Sequence, residues 1–457
     1  MKKRIVVVEP KGADSNVFAK SMKIPLLGPI YVATMAEQLG YESVVINENL
    51  LGREVSSQDL EFADVLALSC MTTTIDRGKE IERLYKQIRN HLGLDSWSVV
   101  GGIHASMIPE DVVDDFDQVY VGEINKKKLE GILSGDIRDK IVHGERMENL
   151  DDLPIPNFKL MRGYEKMKIT PVMTSLGCPF DCDPCSVVNM FGKKVRVRSI
   201  ENVLEELSRY KKGNVFFVDD NLTINPKRLE PFLDGMIESE FDRPWIAQTS
   251  VHIARKPELV KKMKEAGCFL GCFGFEGVTD VSLDDINKKQ SVEDIKKAID
   301  VFHQNDLLVL GMLIAGMRTD TVDIFGQISR FTKEYGIDLL QLLTLTPLPG
   351  SRIRGQYNGR ILNDNPLGWR AYDGLHALIE PENMTAIELQ EGIIGCYRDF
   401  YNFREGVGGL VESFRKKSTN RFPRYPAYMR FAGKFIVNSW LKNKDNKNYL
   451  EYLKKLE

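Results

Sequence analysis

TSLGCPFDCDPCSVV (residues 174–188) packs three of the chain's seven cysteines into eight positions. It overlaps the end of ITPVMTS (169–175), whose apolar and β-branched residues read as a strand. The spacing Cys178-x-x-x-Cys182-x-x-Cys185 puts three thiols on one short loop, where they can converge on one small object. A structural zinc site takes four closed ligands, and no fourth cysteine or histidine lies within reach in sequence. Iron–sulfur clusters are also usually held by four cysteines. Held by three, a cluster keeps one iron open to a substrate or cofactor. Gly177 and Pro179 suit a backbone bending tightly around such a group.

Outward from this loop, strand and helix patterns alternate. NVFFVD (214–219), WIAQTS (245–250), CFLGCFGFE (268–276), LLVLGMLIAG (307–316) and DLLQLLTLT (338–346) read as further strands, with helical segments such as IENVLEELSRYKK and VEDIKKAIDVFHQ between them. Six such units predict an open, incomplete barrel over 165–350, with the cysteine loop at its carboxyl edge. Before it, IVVV (5–8), SVVIN (43–47), VLALS (65–69), SVVGG (98–102) and QVYVG (118–122) alternate with helical patterns. They predict an α/β doubly wound parallel sheet over 1–145, with ligands at its carboxyl edge. GERMENLDDLPIPNFKLM holds two prolines that forbid regular helix, so 146–164 reads as a linker. Beyond 350 the strand signal fades, and 351–457 is expected to be a helical region with a basic tail.

Composition narrows the class. With 43% hydrophobic and 28% charged residues in 457, and no membrane-length apolar run, the chain reads as ordinary globular chemistry. The apolar run in MKKRIVVVEPKG ends after four residues at Glu9, too short for a signal-peptide core. An odd number of cysteines without such a signal points to a reducing cytoplasm rather than a disulfide framework. From Arg415 onward twelve Lys or Arg face three Asp or Glu, a local +9; the net −3 therefore leaves −12 on the rest.

The cysteine spacing after a first barrel strand resembles the radical S-adenosylmethionine (SAM) superfamily. The resemblance implies a 4Fe-4S cluster on Cys178, Cys182 and Cys185, with SAM chelating the open iron through its amino and carboxylate groups. The position before the last cysteine, often aromatic in that family, is Pro184 here, and Phe180 is the candidate for apolar cover. Asp219 of VDDN (218–221), Gln248 and Glu276 end strands two, three and four, and are the candidate SAM contacts. The same VDDN stretch also reads as a helix cap, through Asn221 or Thr223. Ser250, LIAGMRTDT (313–321) and LTPLPGS (345–351) stand at other strand ends. Cys268 and Cys272 are expected on one face of their strand, most simply as core, as are Cys70 and Cys396.

The first part resembles the cobalamin-binding domain that precedes the barrel in one large radical SAM subfamily, through LLGPIYVATMAEQLGYESVVINENL, ALSCMTTTIDRG and VVGGIHASMIPEDVV. Small and hydroxyl residues after its strands, Ser69, Thr72, Thr73, Thr74, Gly101 and Gly102, would admit a bulky nucleotide tail. His104 would lie along the cofactor or be a satisfied surface histidine. The cobalt-ligating D-x-H-x-x-G pattern is absent, as is usual in that subfamily.

Together these resemblances imply cobalamin-dependent methylation of an unactivated carbon. A 5′-deoxyadenosyl radical removes hydrogen, and methylcobalamin donates the methyl group. The alternatives are a radical SAM cyclase, carbon–carbon coupling, or a lipid- or tetrapyrrole-modifying enzyme without methyl donation. A non-catalytic cobalamin or iron–sulfur sensor is a further one. Expected partners are a small-molecule, lipid or peptide substrate and an electron donor of flavodoxin or ferredoxin type, with no nucleic acid. Tyr372, Asp373 and His376 are candidates for the substrate pocket. If 425–442 is a helix, its basic and aromatic residues read in two ways. Either its apolar face packs on the barrel with solvated lysines outside, or it lies on an anionic membrane surface.

Overall fold

A computed structural model describes residues 3–13, 23–402, 404, 406–408, 411, 422 and 424–457. The amino-terminal part forms a six-stranded, wholly parallel sheet: β1 (Arg4–Glu9), β2 (Glu42–Asn47), β3 (Val65–Ser69), β4 (Ser98–Gly101), β5 (Gln118–Val121) and β6 (Ile141–His143). Its order is β2-β1-β3-β4-β5-β6, so the winding reverses between β1 and β3. That crevice is where such sheets take ligands. The three-residue β6, missing from the sequence reading, is too short to carry a periodic signal.

Alternate residues along each strand feed opposite faces. Ile5, Val7, Val45 and Val65 pack beneath helices Leu27–Gln38 and Lys126–Ser134. Val6, Val8, Ile46, Leu66 and Leu68 pack against helix Ile75–His91 on the other face. The stretch after the sheet contains short 3-10 turns but no α-helix, and it is packed down. Leu150, Leu153, Phe158 and Met161 are buried in the first of these cores, and the Arg162 amide donates to the Val45 carbonyl at 3.0 Å.

The second sheet contains β7 (Ile169–Val172), β10 (Asn214–Phe217), β11 (Trp245–Thr249), β12 (Cys268–Glu276), β13 (Leu308–Ala315) and β14 (Leu339–Thr344), all parallel and in sequence order. This is the open six-unit barrel. An antiparallel pair of two-residue strands, β8 (Ser175–Leu176) and β9 (Arg196–Val197), closes the base of the cysteine loop.

The expectation that Cys268 and Cys272 share a face fails. The register slips between Trp245 and Ile246, which pair with Cys268 and Leu270. The bulge puts Cys268 in the outer core, while Phe269 and Leu270 both turn to the inner side with Ile246 and Leu310.

The free edge of β14 is covered by two tyrosines just before and after the end of helix Ala386–Phe400. The Tyr397 hydroxyl donates to the Leu342 carbonyl at 2.8 Å and accepts from its amide at 2.9 Å; Tyr401 does the same for Leu340, at 2.7 and 3.1 Å. Two side chains thus stand in for a neighbouring strand. Tyr397→Phe leaves a buried amide and carbonyl unpaired and is expected to cost about 1–3 kcal/mol, read as a lower urea midpoint.

Tyr372 and His376 are buried, and neither they nor Asp373 line the cavity beside the cysteine loop. His376 is fully buried, its Nδ1 2.9 Å from Asp373 Oδ1 and its Nε2 2.9 Å from Asn446 Oδ1. Since Asn446 donates its own amide to the Trp440 carbonyl, the oxygen faces the ring, and both ring nitrogens donate. Burial lowers the imidazole pKa, but the Asp373 carboxylate more than offsets it and the net shift is upward from 6.5. A raised folded pKa means stability held in full below the unfolded value and lost as pH rises through the folded one. The thermal-midpoint advantage of wild type over His376→Gln is therefore expected to be largest in mild acid and to shrink on the alkaline side of the ordinary imidazole range. An advantage that grew with pH would contradict this assignment.

Candidate active site

Residues 177–195 leave the carboxyl end of the barrel between β8 and β9. Gly177 sits at φ 93°, and a Cβ there would fall 2.6 Å from the Lys194 carbonyl oxygen, so the loop can begin only with glycine. Cys178 and Cys182 are half-buried and Cys185 is exposed. Loops that follow other barrel strands fasten this one. The Asp183 carboxylate receives Arg352 at 2.6 Å and Gln356 at 2.6 Å, its amide donates to the Ile286 carbonyl, and Asn287 donates to the Asp181 carbonyl at 2.8 Å.

Desolvation around the sulfurs raises the pKa of all three thiols, that of Cys185 to about 11 even though the residue reaches solvent, and repulsion between Cys185 and its two neighbours adds to the effect there. They are thus close enough to interact, and need a cationic partner to become thiolates. Among the described residues no three His, Cys, Asp or Glu side chains gather around a single metal ion.

Asp219, chosen from the sequence as a SAM contact, lies 1% exposed beneath the loop. Its oxygens accept from the Thr174 amide at 3.0 Å, the Thr174 hydroxyl at 2.7 Å and the Ser175 hydroxyl, and so tie the segment after β10 to the connection between β7 and β8. Asp220 reaches the site instead. It accepts from the Gly177 amide at 3.1 Å, and burial raises its pKa to about 6. The helix cap falls on neither Asn221 nor Thr223: Asn225 caps Pro226–Glu238.

Gln248 lies level with Cys272 on the inner side of the barrel, and although the register shifts between Gly274 and Glu276, the Glu276 carboxylate turns back over Gly274 on that side. Glu276 has φ 63°, a conformation rare for a residue with a Cβ, and its carboxylate meets Lys288 Nζ at 2.9 Å. The Lys288 ammonium also opposes the upward shift at Cys182 without cancelling it. A lysine twelve residues beyond the strand gave no sequence signal; the chain returns it to the thiols. Phe180 stands on the same rim, its ring 5.7 Å from that of His252.

A cavity of about 430 Å³ opens beside the loop. It starts at the carboxyl edge of the first sheet, with Ser69, Met71, Gly101 and Gly102, and passes Val7, Ala67 and Val99 on the sheet face. It ends at Leu176, Val218 and Asp220 under the cysteine loop. It occupies the β1/β3 crevice, between the sheet face and Leu27, Gly28, Tyr31 and Val32 of helix Leu27–Gln38. The Tyr31 hydroxyl on its wall is buried without a hydrogen-bond partner. Gly102, at φ 97°, touches Cys70, whose carbonyl oxygen would lie 2.5 Å from an added Cβ.

Of the residues chosen for a nucleotide tail, Ser69, Gly101 and Gly102 line this cavity, whereas Thr72, Thr73 and His104 do not. His104 is fully buried, 3.2 Å from Asp111 and edge-on to Trp369 at 4.9 Å. The turn Thr72–Thr74 packs against Gly368–Ala371. The carboxy-terminal region has taken those positions, which a reading of local spacing misses.

Residues 172–332 match the family described as the radical SAM superfamily, which begins two residues before the quoted loop and ends after β13. Residues 172–332 thus form a radical SAM domain. A bacteriochlorophyllide d C-12(1)-methyltransferase of Chlorobaculum tepidum is 26% identical over 416 residues, covering 88% of either chain. A hopanoid C-2 methylase of Rhodopseudomonas palustris is 26% identical over 70% of this chain and 62% of its own. Among solved structures, the cobalamin-dependent SAM radical enzyme OxsB with aqua-cobalamin and SAM bound shares the fold. Its TM-score is 0.69 at 12% identity, over all of this chain and 75% of that one. The radical SAM domain implies a 4Fe-4S cluster and SAM, and the thiol loop offers three sulfur ligands. No described helix is long and apolar enough to cross a membrane.

Proposed function

We propose that this radical SAM enzyme methylates an unactivated carbon, with cobalamin seated in the cavity between the two sheets. The observation that carries the reading is the cavity itself: one end lies at the β1/β3 crevice and the other beneath the thiol loop. Two cofactors bound there would face each other without a wall between them.

Cobalamin would supply a transferable methyl group, and the protein's work is placement and exclusion of water. Ser69, Gly101 and Gly102 would admit the corrinoid at the sheet edge, and the unpartnered Tyr31 hydroxyl offers a buried polar contact. Cys178, Cys182 and Cys185 would hold the cluster; Lys288 and Glu276 would receive the charged groups of SAM. Asp220 touches both the loop and the cavity, so it would hold the two cofactors in register. The exposed Cys185 marks the side from which a flavodoxin- or ferredoxin-type donor would deliver an electron.

Anaerobically reconstituted protein is expected to show corrinoid and iron–sulfur absorbance together. With substrate it should form a methylated product, S-adenosylhomocysteine and 5′-deoxyadenosine. Uptake of a cluster without any corrinoid, or turnover without S-adenosylhomocysteine, would move the assignment to a cyclase or coupling reaction.

A further inference from the structure

Helix Tyr425–Lys442 closes the amino end of the barrel. Tyr425 and Met429 pack against Phe269, Leu270, Leu308 and Leu339, at the starts of three inner strands. Its inward contacts also include Ala427, Gly433, Val437 and Trp440. Gly433 is required there, because an added Cβ would lie 2.3 Å from the Tyr401 ring. The apolar face thus packs on the barrel, as one sequence reading expects.

The outer face departs from that reading. In place of a row of solvated lysines it carries Tyr428, 67% exposed, and Phe435, 73% exposed. Residues 424, 428, 435 and 442 recur at intervals of four and seven, which align them in one stripe along the helix. The exposed stripe therefore reads Arg424, Tyr428, Phe435, Lys442, with exposed Lys434 at its flank. No acidic residue occurs anywhere from Tyr425 to Lys442. A surface helix with a second, aromatic face has not finished burying its apolar area.

We propose that this stripe docks on the surface of an anionic lipid bilayer. Charge complementarity selects that occupant. The sequence from Arg415 onward carries +9 while the rest carries −12, so an anionic surface attracts this end and repels the remainder. Aromatic rings between cations suit the headgroup boundary, where rings enter the acyl edge and ammonium groups stay among the phosphates. Since the stripe lies at the amino end of the barrel and the thiol loop at the carboxyl end, docking would turn the active mouth away from the bilayer. Part of the basic tail, residues 412–421 and 423, lies outside the described residues.

The test is co-sedimentation of the full chain with vesicles of phosphatidylcholine alone and of phosphatidylcholine mixed with phosphatidylglycerol. Binding is expected only to the mixed vesicles, and it should weaken as salt is raised. The double variant Tyr428→Ser/Phe435→Ser should bind about tenfold more weakly or worse, with an unchanged melting curve because both side chains are exposed. Lys434→Glu/Lys442→Glu should remove most of the preference for anionic lipid. Equal binding to both vesicle types, no binding at low salt, or full binding by the aromatic variant would each overturn the proposal. So would a lipid-free dimer that the aromatic variant dissociates, which would assign the stripe to a second copy of the chain. None of these measurements depends on methyl transfer.

Discussion

Replacing Cys178, Cys182 or Cys185 by alanine is expected to reduce 5′-deoxyadenosine release to background and to leave the isolated protein short of iron. The three thiols stand on one loop held at five points from outside, by Arg352, Gln356, Asn287, Ile286 and the amide of Gly177 on Asp220. The loop should therefore keep its place in each variant. Lost activity would then report the missing corner of the cluster rather than an unfolded barrel, and an unchanged melting temperature is the control. A cysteine variant with full iron content and normal release of 5′-deoxyadenosine would remove the basis of the assignment.

The second large effect is expected at Glu123. Its carboxylate, 7% exposed, meets Arg196 at 2.5 and 2.7 Å and also accepts from the Met147 amide. Arg196 in turn donates to the carbonyls of Met147 and Phe191. Glu123 follows β5 of the first sheet and Arg196 begins β9 at the base of the thiol loop, so the pair joins the two halves beside the cavity. Glu123→Ala strands a buried guanidinium and should cost about 3–5 kcal/mol, read from denaturant unfolding. Glu123→Met with Arg196→Met removes both charges and should recover much of that loss. If the double variant were as unstable as the single one, packing rather than the unpaired charge would be the cause.

Much of the fold is legible in the sequence because each strand is a short apolar run bounded by turns. CFLGCFGFE and VLALS coincide with β12 and β3 to the residue. Alternation along a strand is nevertheless a rule about regular pleating. One extra residue at Phe269 breaks it and separates Cys268 from Cys272. At the site, the choice between Asp219 and Asp220 turns on direction. Both carboxylates reach the segment that leads into the loop, and only packing shows that Thr174 and Ser175 consume the first while Gly177 holds the second.

Three cysteines at a characteristic spacing after a strand, inside a strand–helix alternation, point to the chemistry without any coordinates, because both signals are local. What faces those cysteines is settled by packing. Lys288, Tyr31, Asp220 and the cavity arise where distant segments meet, and the aromatic outer face of the last helix shows only once its inner face is spoken for. Local spacing fixes what a loop can hold; burial and direction, which depend on every other segment, fix what it meets.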